Sequence, residues 1–560
     1  FFQGHSLTRQ SSQLNTTEKP GATIVVPSVL PNMRMGSVVS ALGGGGETED
    51  DSKPLGLGGL TMVMYFGVCG GAVYAEEIVG AMGPLIGITA MIVYPLLVGL
   101  PQSLVTAEYA TAFPDGGGFL SWCNCAFGSH ATRIVAALNY LCMTADTSLY
   151  PPMALDYSAA TWPSLQPLSD APFSWEAYVF KASFATGLFL LLLTGLKPVG
   201  TGLQVLILAV LIPQTLLIVI FGVGKMDWGL LGGTKYTPYL NESSPVREMI
   251  TDTSRGKSFF YFLNVLVWNY SAFDQDSLVS GEVRNPGRNY PRASHIALGL
   301  IMATYLLPLT VASGLFPDWS VLEEGSLPLI GEKAGGPWLR NAVSFAAISS
   351  AVGLYLVTTY ECINLSLNSS KMNIMRREVF GVDMEKKNPC GVPMAGAFVT
   401  YVLIMVYQCF DIETILVFTN TAGSVAGIIE WAACIKMRWY HKSMKGEYVV
   451  PIESDWGFFV FLTPTQFINI FYIIYAVKEQ FGDPESSIAE IGFALFVVSC
   501  VQVLVPVLVG LAWALHFYVN GKTGSIDMVE GGGGGYEVDE NRYRNLWASN
   551  KTEGVYLEMK

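Results

Sequence analysis

Charge is what this chain of 560 residues has least of: Asp, Glu, Lys and Arg together make up 14% of it, against about 25% in an average soluble domain. A soluble protein of this length needs more. Several catalytic signatures are also missing. No GxxxxGK[ST] loop is present, the five His residues form no HExxH, and none of the nine Cys residues stands in a CxxC pair. ATP-driven work, zinc-hydrolase chemistry and a thiol-based metal centre therefore have no support in the sequence. The Cys residues, odd in number and mostly in or beside apolar runs, read as small buried hydrophobes, and no cofactor or metal is expected. Positive charge is the scarcer sign: 32 Lys and Arg stand against 45 Asp and Glu, a formal net charge of -13. That balance removes nucleic acid as a partner.

What the chain has is apolar length, with 51% hydrophobic residues. A membrane-crossing helix needs about 20 mostly apolar residues. Twelve stretches meet that template, near residues 57 to 80, 83 to 108, 132 to 155, 178 to 195, 202 to 224, 259 to 283, 294 to 315, 341 to 370, 394 to 410, 412 to 436, 457 to 477 and 488 to 518. The expectation is an all-α integral membrane protein with the bilayer as its solvent. Basic residues of short loops gather on the cytoplasmic side. Arg284, Arg288 and Arg292, then Lys371, Arg376, Arg377, Lys386 and Lys387, then Lys436, Arg438, Lys442 and Lys445 follow spans six, eight and ten. The opposite loops, 158 to 174 and 409 to 413, contain no Lys or Arg. With an even number of spans, both termini are expected in the cytoplasm. The long loop after span five holds Asn241-Glu-Ser, which reads equally as a glycosylation acceptor or as a chance tripeptide.

Residues 1 to 56, with Gly43 to Gly46 and an acidic run, and residues 519 to 560, with Gly531 to Gly535, read as flexible cytoplasmic tails. The opening Phe1-Phe2-Gln-Gly-His-Ser resembles a protease-tag remnant. No cleavable signal is expected; the first span itself would target the chain. Between the tails, 57 to 436 would form a ten-helix core and 437 to 518 two additional helices with the preceding loop.

Span one is interrupted by Gly67-Val-Cys-Gly-Gly71, and span six, five spans later, by Asn269-Tyr-Ser-Ala-Phe-Asp274. Backbone unwinds at membrane depth only where it lines a cavity, so a matched pair of breaks marks a central binding site in a protein of two inverted five-span repeats. Close helix packing is the plainer reading of the glycines.

Acids lie in the spans with almost no base to answer them. Glu76, Glu77, Glu108 and Asp115 fall between Lys53 and Arg133, a stretch without Lys or Arg; Asp146, Asp156, Asp170 and Glu176 precede Lys181; Asp274, Asp276 and Glu282 precede Arg284; Glu361 and Glu430 sit in spans eight and ten. A carboxylate at bilayer depth costs on the order of 3 kcal/mol, so such a set marks a functional site by default. Asp274 stands at the second break beside Phe273, with Tyr270 and Trp268 near, a carboxylate with aromatic faces that suits an ammonium group. Glu76 and Glu77 open the second half of span one, where they contact substrate or protons or cap free N–H groups. Asp146 and Tyr150 are four apart, on one helical face. Asp156 and Glu108 read as structural, Glu282 as the partner of a cytoplasmic Arg. Glu77, Asp274, Glu361 and Glu430 are the candidates for proton coupling.

The stretch Gly70-Gly-Ala-Val-Tyr-Ala-Glu-Glu-Ile-Val-Gly-Ala-Met-Gly-Pro-Leu85 resembles the first span of the amino acid-polyamine-organocation superfamily. Thr106 to Gly118, Ser148-Leu-Tyr-Pro151 with Leu155-Asp-Tyr157, Trp268-Asn269, Phe273-Asp274 with Gly281-Glu-Val-Arg-Asn-Pro286, and Glu430-Trp-Ala-Ala433 are similar to later signatures of the same family, in order. Within it the chain resembles the eukaryotic polyamine uptake transporters of plants and trypanosomatid protozoa. Asp276 is an added acid relative to that pattern. The resemblance implies a LeuT-like fold, a 5+5 inverted repeat with helices 1 and 6 broken, twelve spans in all, and residence in the plasma membrane. It also implies proton-coupled uptake of a small organic cation, putrescine or spermidine, with Gly70, Gly71, Glu76, Glu77, Asp146, Tyr150, Trp268, Asn269, Tyr270, Phe273 and Asp274 around the substrate. An L-type or cationic amino acid transporter is the alternative, and a non-transporting nutrient sensor a further one. An amino acid would bring a carboxylate that Glu76 and Glu77 repel.

Overall fold

Runs of Leu, Ile, Val, Phe and Ala this long leave the backbone one way to satisfy its own polar groups inside a bilayer, which is the helix. The computed structural model describes residues 55–114, 116–234, 259–379, 382–440 and 446–481. In chain order its main helices are α1 Leu57–Val68, α2 Glu76–Met82, α3 Pro84–Ala112, α4 Phe119–Ala159, α5 Trp175–Leu192, α6 Val205–Lys225, α7 Phe259–Asn269, α8 Pro286–Leu315, α9 Leu327–Gly335, α10 Pro337–Lys371, α11 Met394–Tyr407, α12 Ile412–Tyr440 and α13 Asp455–Phe481. The one strand pairing among the described residues joins Glu378–Val379 to Val382–Asp383. Seven helices there are long and apolar enough to cross a membrane: α3, α5, α6, α8, α10, α12 and Asp455–Val477 of α13. Helices α1, α7 and α11 are apolar but shorter. The stretch from 488 to 518, most of 1 to 56, all of 519 to 560, Asp115, Asn241, Lys442 and Lys445 lie outside the described residues.

Among the described residues large apolar side chains face outward, and buried acids lie within an otherwise apolar interior. Leu208, Ile220, Phe345, Phe398, Val460 and Phe467 are all more than half exposed on outer helix faces, an arrangement that water penalises and lipid does not. Helix α4 packs against α10 and α12, α1 against α8, and α12 against α13. The first and sixth spans are each split. Helix α1 stops at Val68 and α2 starts at Glu76; α7 stops at Asn269 and a 3₁₀ helix, Gln275–Glu282, follows. The packing is reciprocal: α1 lies against the 3₁₀ segment and α7 against α2.

Two expectations about charge are corrected. Arg438 is not a loop residue. It lies in the last turn of α12, buried, and its Nη1 meets Glu108 Oε1 at 2.6 Å, while the N–H of Val450 donates to Glu108 Oε2 at 2.7 Å. Helix α12 runs past the apolar segment, and this carries the base back against α3. Glu282 accepts from the Tyr360 hydroxyl at 3.0 Å, with Lys371 and Lys387 as the bases that act on it electrostatically, rather than from a neighbouring Arg. The backbone supplies the reason, because Leu55 binds both the Glu282 carbonyl and the Arg284 N–H and turns the strand between them. Among the described residues Lys181 and Lys436 form no ion pair with an acid, although Lys181 acts electrostatically on Asp156. Lys181 donates to the carbonyls of Pro172 and Gln408, each at 3.0 Å, and Lys436 to that of Ala126 at 2.6 Å.

Candidate functional site

The first break is held open by side chains from other helices. Through Gly70 (φ 61°), Gly71 (φ 149°) and Tyr74 (φ 61°) the chain leaves helical geometry. The freed N–H of Ala72 donates to Gln214 Oε1 at 2.8 Å and that of Tyr74 to the Tyr157 hydroxyl at 2.9 Å. Gln214, fully buried in α6, passes the connection on to Ser350 Oγ at 3.2 Å. An orphaned N–H at this depth costs several kcal/mol, so these contacts make the unwound state tenable. A Cβ on Gly71 would stand 2.6 Å from Gln214 Oε1 and 3.1 Å from Val210 Cγ1. Gly71→Ala is expected to lower stability by about 1 to 3 kcal/mol through this overlap and the positive φ, read as a lower melting temperature of the detergent-purified protein. At the second break the positive φ falls on Ala272, at 76°. The Ser277 hydroxyl ties off the turn, donating to the Asp274 carbonyl at 2.5 Å and accepting the Phe119 N–H at 3.0 Å.

Between the breaks lies a narrow cavity with room for about 30 Å³, bounded by Gly67 and Cys69 on one side and by Asn269 and Ala272 on the other. That is space for about one water. A cation with several heavy atoms therefore enters only if the surrounding helices move. Asp146 and Tyr150 from α4 and Trp268 from α7 complete the polar wall. The Tyr150 hydroxyl donates to Asp146 Oδ2, and Trp268 Nε1 donates to Asp146 Oδ1 at 2.6 Å. Asp146 itself is only half-buried. A wider groove of about 450 Å³ runs along α5 beside Trp175 and Tyr178. It opens on an outer face and has no acid or base in its wall, so it offers a cation nothing.

The cavity thus gathers Asp146, Tyr150, Trp268 and Asn269 and leaves Gly70, Gly71, Glu76, Glu77, Tyr270, Phe273 and Asp274 off its wall. Gly70 packs on Leu354. Glu76 accepts from the Tyr157 hydroxyl at 2.9 Å and the Leu327 N–H at 3.3 Å; Glu77 accepts from the Tyr261 hydroxyl and, at 3.1 Å, from the Glu324 N–H. These two acids fasten α2 to α4, α7 and the segment before α9. Tyr270 donates to the Met91 carbonyl at 3.1 Å and meets Tyr305 edge to face. Phe273 turns onto Gly99. Asp274 acts electrostatically on Glu430, whose Oε1 accepts from Asn139 Nδ2 at 2.6 Å and whose buried Oε2 has no hydrogen-bond partner among the described residues. Glu361 and Asp276 converge on Gly67 from behind. Among the described residues no Lys or Arg forms an ion pair with Asp146, Asp274, Asp276, Glu361 or Glu430, and no group of three His, Cys, Asp or Glu side chains is placed to hold a metal ion.

Residues 55–509 match the family model for amino acid permeases. The chain belongs to the amino acid permease family. This permease is also similar to proteins of plants: 25% identical over 80% of its length to a probable polyamine transporter of Arabidopsis thaliana, of which 88% is covered, and 26% identical over 78% of its length to polyamine transporter PUT1 of Oryza sativa subsp. japonica, of which 76% is covered. Family and relatives together indicate a multi-pass membrane protein that transports.

Sequence reasoning passed over several residues that shape the permease's centre. Gln214 is uncharged, and only its isolation as a polar side chain in an apolar helix marks it. Tyr157 stands in one of the family-like stretches without a role of its own there, and Tyr261 lies in an apolar run like an ordinary core residue. Asn139 is a lone amide whose role shows only when α12 brings Glu430 beside it.

Proposed function

We propose that this permease takes up polyamines of the putrescine and spermidine class, coupled to protons, by alternating access. The observation that carries the reading is Asp146. Its two oxygens are fixed by neutral donors, Tyr150 and Trp268, at the wall of the central cavity, with no base in an ion pair. A carboxylate held that way keeps its charge for a cation, and the two aromatic groups favour an ammonium group over a hydrated metal ion. The names of the plant relatives point to the same class of substrate. An amino acid would need in addition a seat for its carboxylate, which N–H groups at a helix break supply elsewhere. Here the N–H groups of Ala72 and Tyr74 are already engaged.

For the architecture we infer twelve spans in a LeuT-like 5+5 inverted repeat, with 57 to 436 as transport core, 437 to 518 adding two helices, and both termini in the cytoplasm beneath the plasma membrane. The reciprocal contacts of the two split helices support the repeat. For coupling, the Asp274–Glu430 pair is the best placed of the acids, since two neighbouring buried carboxyls without a base in an ion pair favour a proton on one of them, and Asn139 holds Glu430 in place. Glu77, by contrast, is bound to Tyr261 and to the Glu324 backbone.

Uptake of radiolabelled putrescine by vesicles containing the full chain tests the reading. Spermidine is expected to compete strongly, leucine and arginine weakly, and accumulation is expected to fall when pH gradient and voltage are collapsed. Competition by leucine or arginine as strong as by spermidine would make this an amino acid transporter. Absence of uptake for all four would favour a sensor.

A further inference from the structure

A second acidic group sits behind the cavity, and its hydrogen-bonding capacity is not used up. Glu361 is fully buried in α10, and among the described residues neither of its carboxyl oxygens has a hydrogen-bond partner; Oδ1 of Asp276, in the 3₁₀ segment, has none there either. The Tyr290 hydroxyl, also fully buried and also without a partner, feels Asp276 and Glu361 as its strongest charges. Such groups are expensive to bury unless something charged or hydrogen-bonding completes them. Both acids point at one place. A Cβ on Gly67 would stand 3.1 Å from Asp276 Oδ1 and 3.6 Å from Glu361 Oε1. Gly67 also walls the cavity that presents Asp146, as does Gln275, the residue next to Asp276. Gly67 therefore borders both the cavity that presents Asp146 and the Asp276–Glu361 pair, and Glu361 feels Asp146 first among neighbouring charges.

We propose that Asp276 and Glu361 seat the second ammonium group of a diamine whose first ammonium group is held at Asp146, with Gly67 as the passage between the two seats. This rests on the polyamine reading and sharpens it: the protein selects molecules with cations at both ends. A monoamine of the same length reaches Asp146 and leaves the pair unanswered. A diamine satisfies both, and its amine hydrogens supply the donors that Glu361 and Asp276 lack. Asp274, which acts electrostatically on both acids, neighbours Glu430, whose Oε1 is held by Asn139.

The test compares putrescine with n-butylamine, which matches it in length and lacks one amine, by ligand-induced shifts in melting temperature of the purified full chain, where no gradient is involved. Wild type is expected to bind putrescine at least about tenfold more tightly than butylamine, as a desolvated charge pair adds affinity of that order. In Asp276→Asn and in Glu361→Gln, putrescine is expected to weaken to the butylamine value while butylamine stays where it was. Gly67→Ala keeps both charges and blocks the passage, so it should lower the putrescine preference as well and serves if an acid variant fails to fold. Equal weakening of both amines, or no change in either, would overturn the proposal and return the pair to a structural or proton-binding role. Wild type that binds neither amine would instead sink the polyamine reading itself.

Discussion

Asp146→Asn is expected to cut the initial rate of polyamine uptake by about a hundredfold or more, since removing one member of a desolvated, hydrogen-bonded charge pair costs about 2 to 5 kcal/mol. The substitution is close to isosteric. An Asn side-chain oxygen still accepts from Trp268 Nε1, and the Tyr150 hydroxyl, which now donates to Asp146 Oδ2, can rotate to accept from the new amide. Folding and membrane content should therefore stay near wild type, and uptake of radiolabelled putrescine normalised to protein in the vesicles isolates the loss of charge. Asp146→Glu should retain part of the rate. Wild-type uptake by Asp146→Asn would remove the ammonium group from this position. Asp274→Asn gives the contrast. Asp274 lies off the cavity wall and acts electrostatically on Glu430, so its loss should alter the response to an imposed pH gradient more than the affinity for putrescine.

The first helix break was legible because glycine is a local signal: Gly67, Gly70 and Gly71 fall within five residues, and two of them take positive φ. The second break has no such signature. Its strained residue is Ala272, a good helix former by intrinsic propensity, and the strain is imposed by packing and not by sequence. Asp146 and Tyr150 could be paired from their spacing alone, a helix placing residues four apart on one face. Trp268 reaches the same carboxylate from 122 residues away, and only the fold brings it there.

Counting acids against bases selects helices and says nothing of the direction each side chain takes. Glu76 and Glu77 are adjacent in sequence, so at 100° per residue at least one must turn from any given face. In the structure both point to tyrosine hydroxyls and backbone N–H groups. Asp276 shows the opposite failure. It looked out of place beside the family pattern, and it lies, buried, against Gly67 together with Glu361. Charge in a membrane segment announces a site; assigning its role requires knowing which partner has already claimed it.

Arg438 is where removing one side chain should cost the protein most of its folded yield. The guanidinium is 8% exposed and Glu108 5%, and besides the 2.6 Å ion pair Arg438 donates to the Ile452 carbonyl at 2.5 Å and lies over the Phe458 ring at 4.9 Å. Arg438→Met leaves the Glu108 carboxylate buried without its ion-pair partner, though the Val450 N–H still donates to it, a loss of about 3 to 5 kcal/mol by comparison with other broken buried pairs. The drop should appear in the melting temperature and in the monodisperse fraction after detergent extraction. Replacing both partners, Glu108→Leu with Arg438→Met, is expected to recover much of it, because no unpaired charge is left. Recovery should stay incomplete, since the Ile452 carbonyl still loses its donor and the segment leading into α13 loses an anchor. A single variant as stable as wild type would mean that water already reaches this pair, and the buried bridge would then be no more than a surface contact in energy.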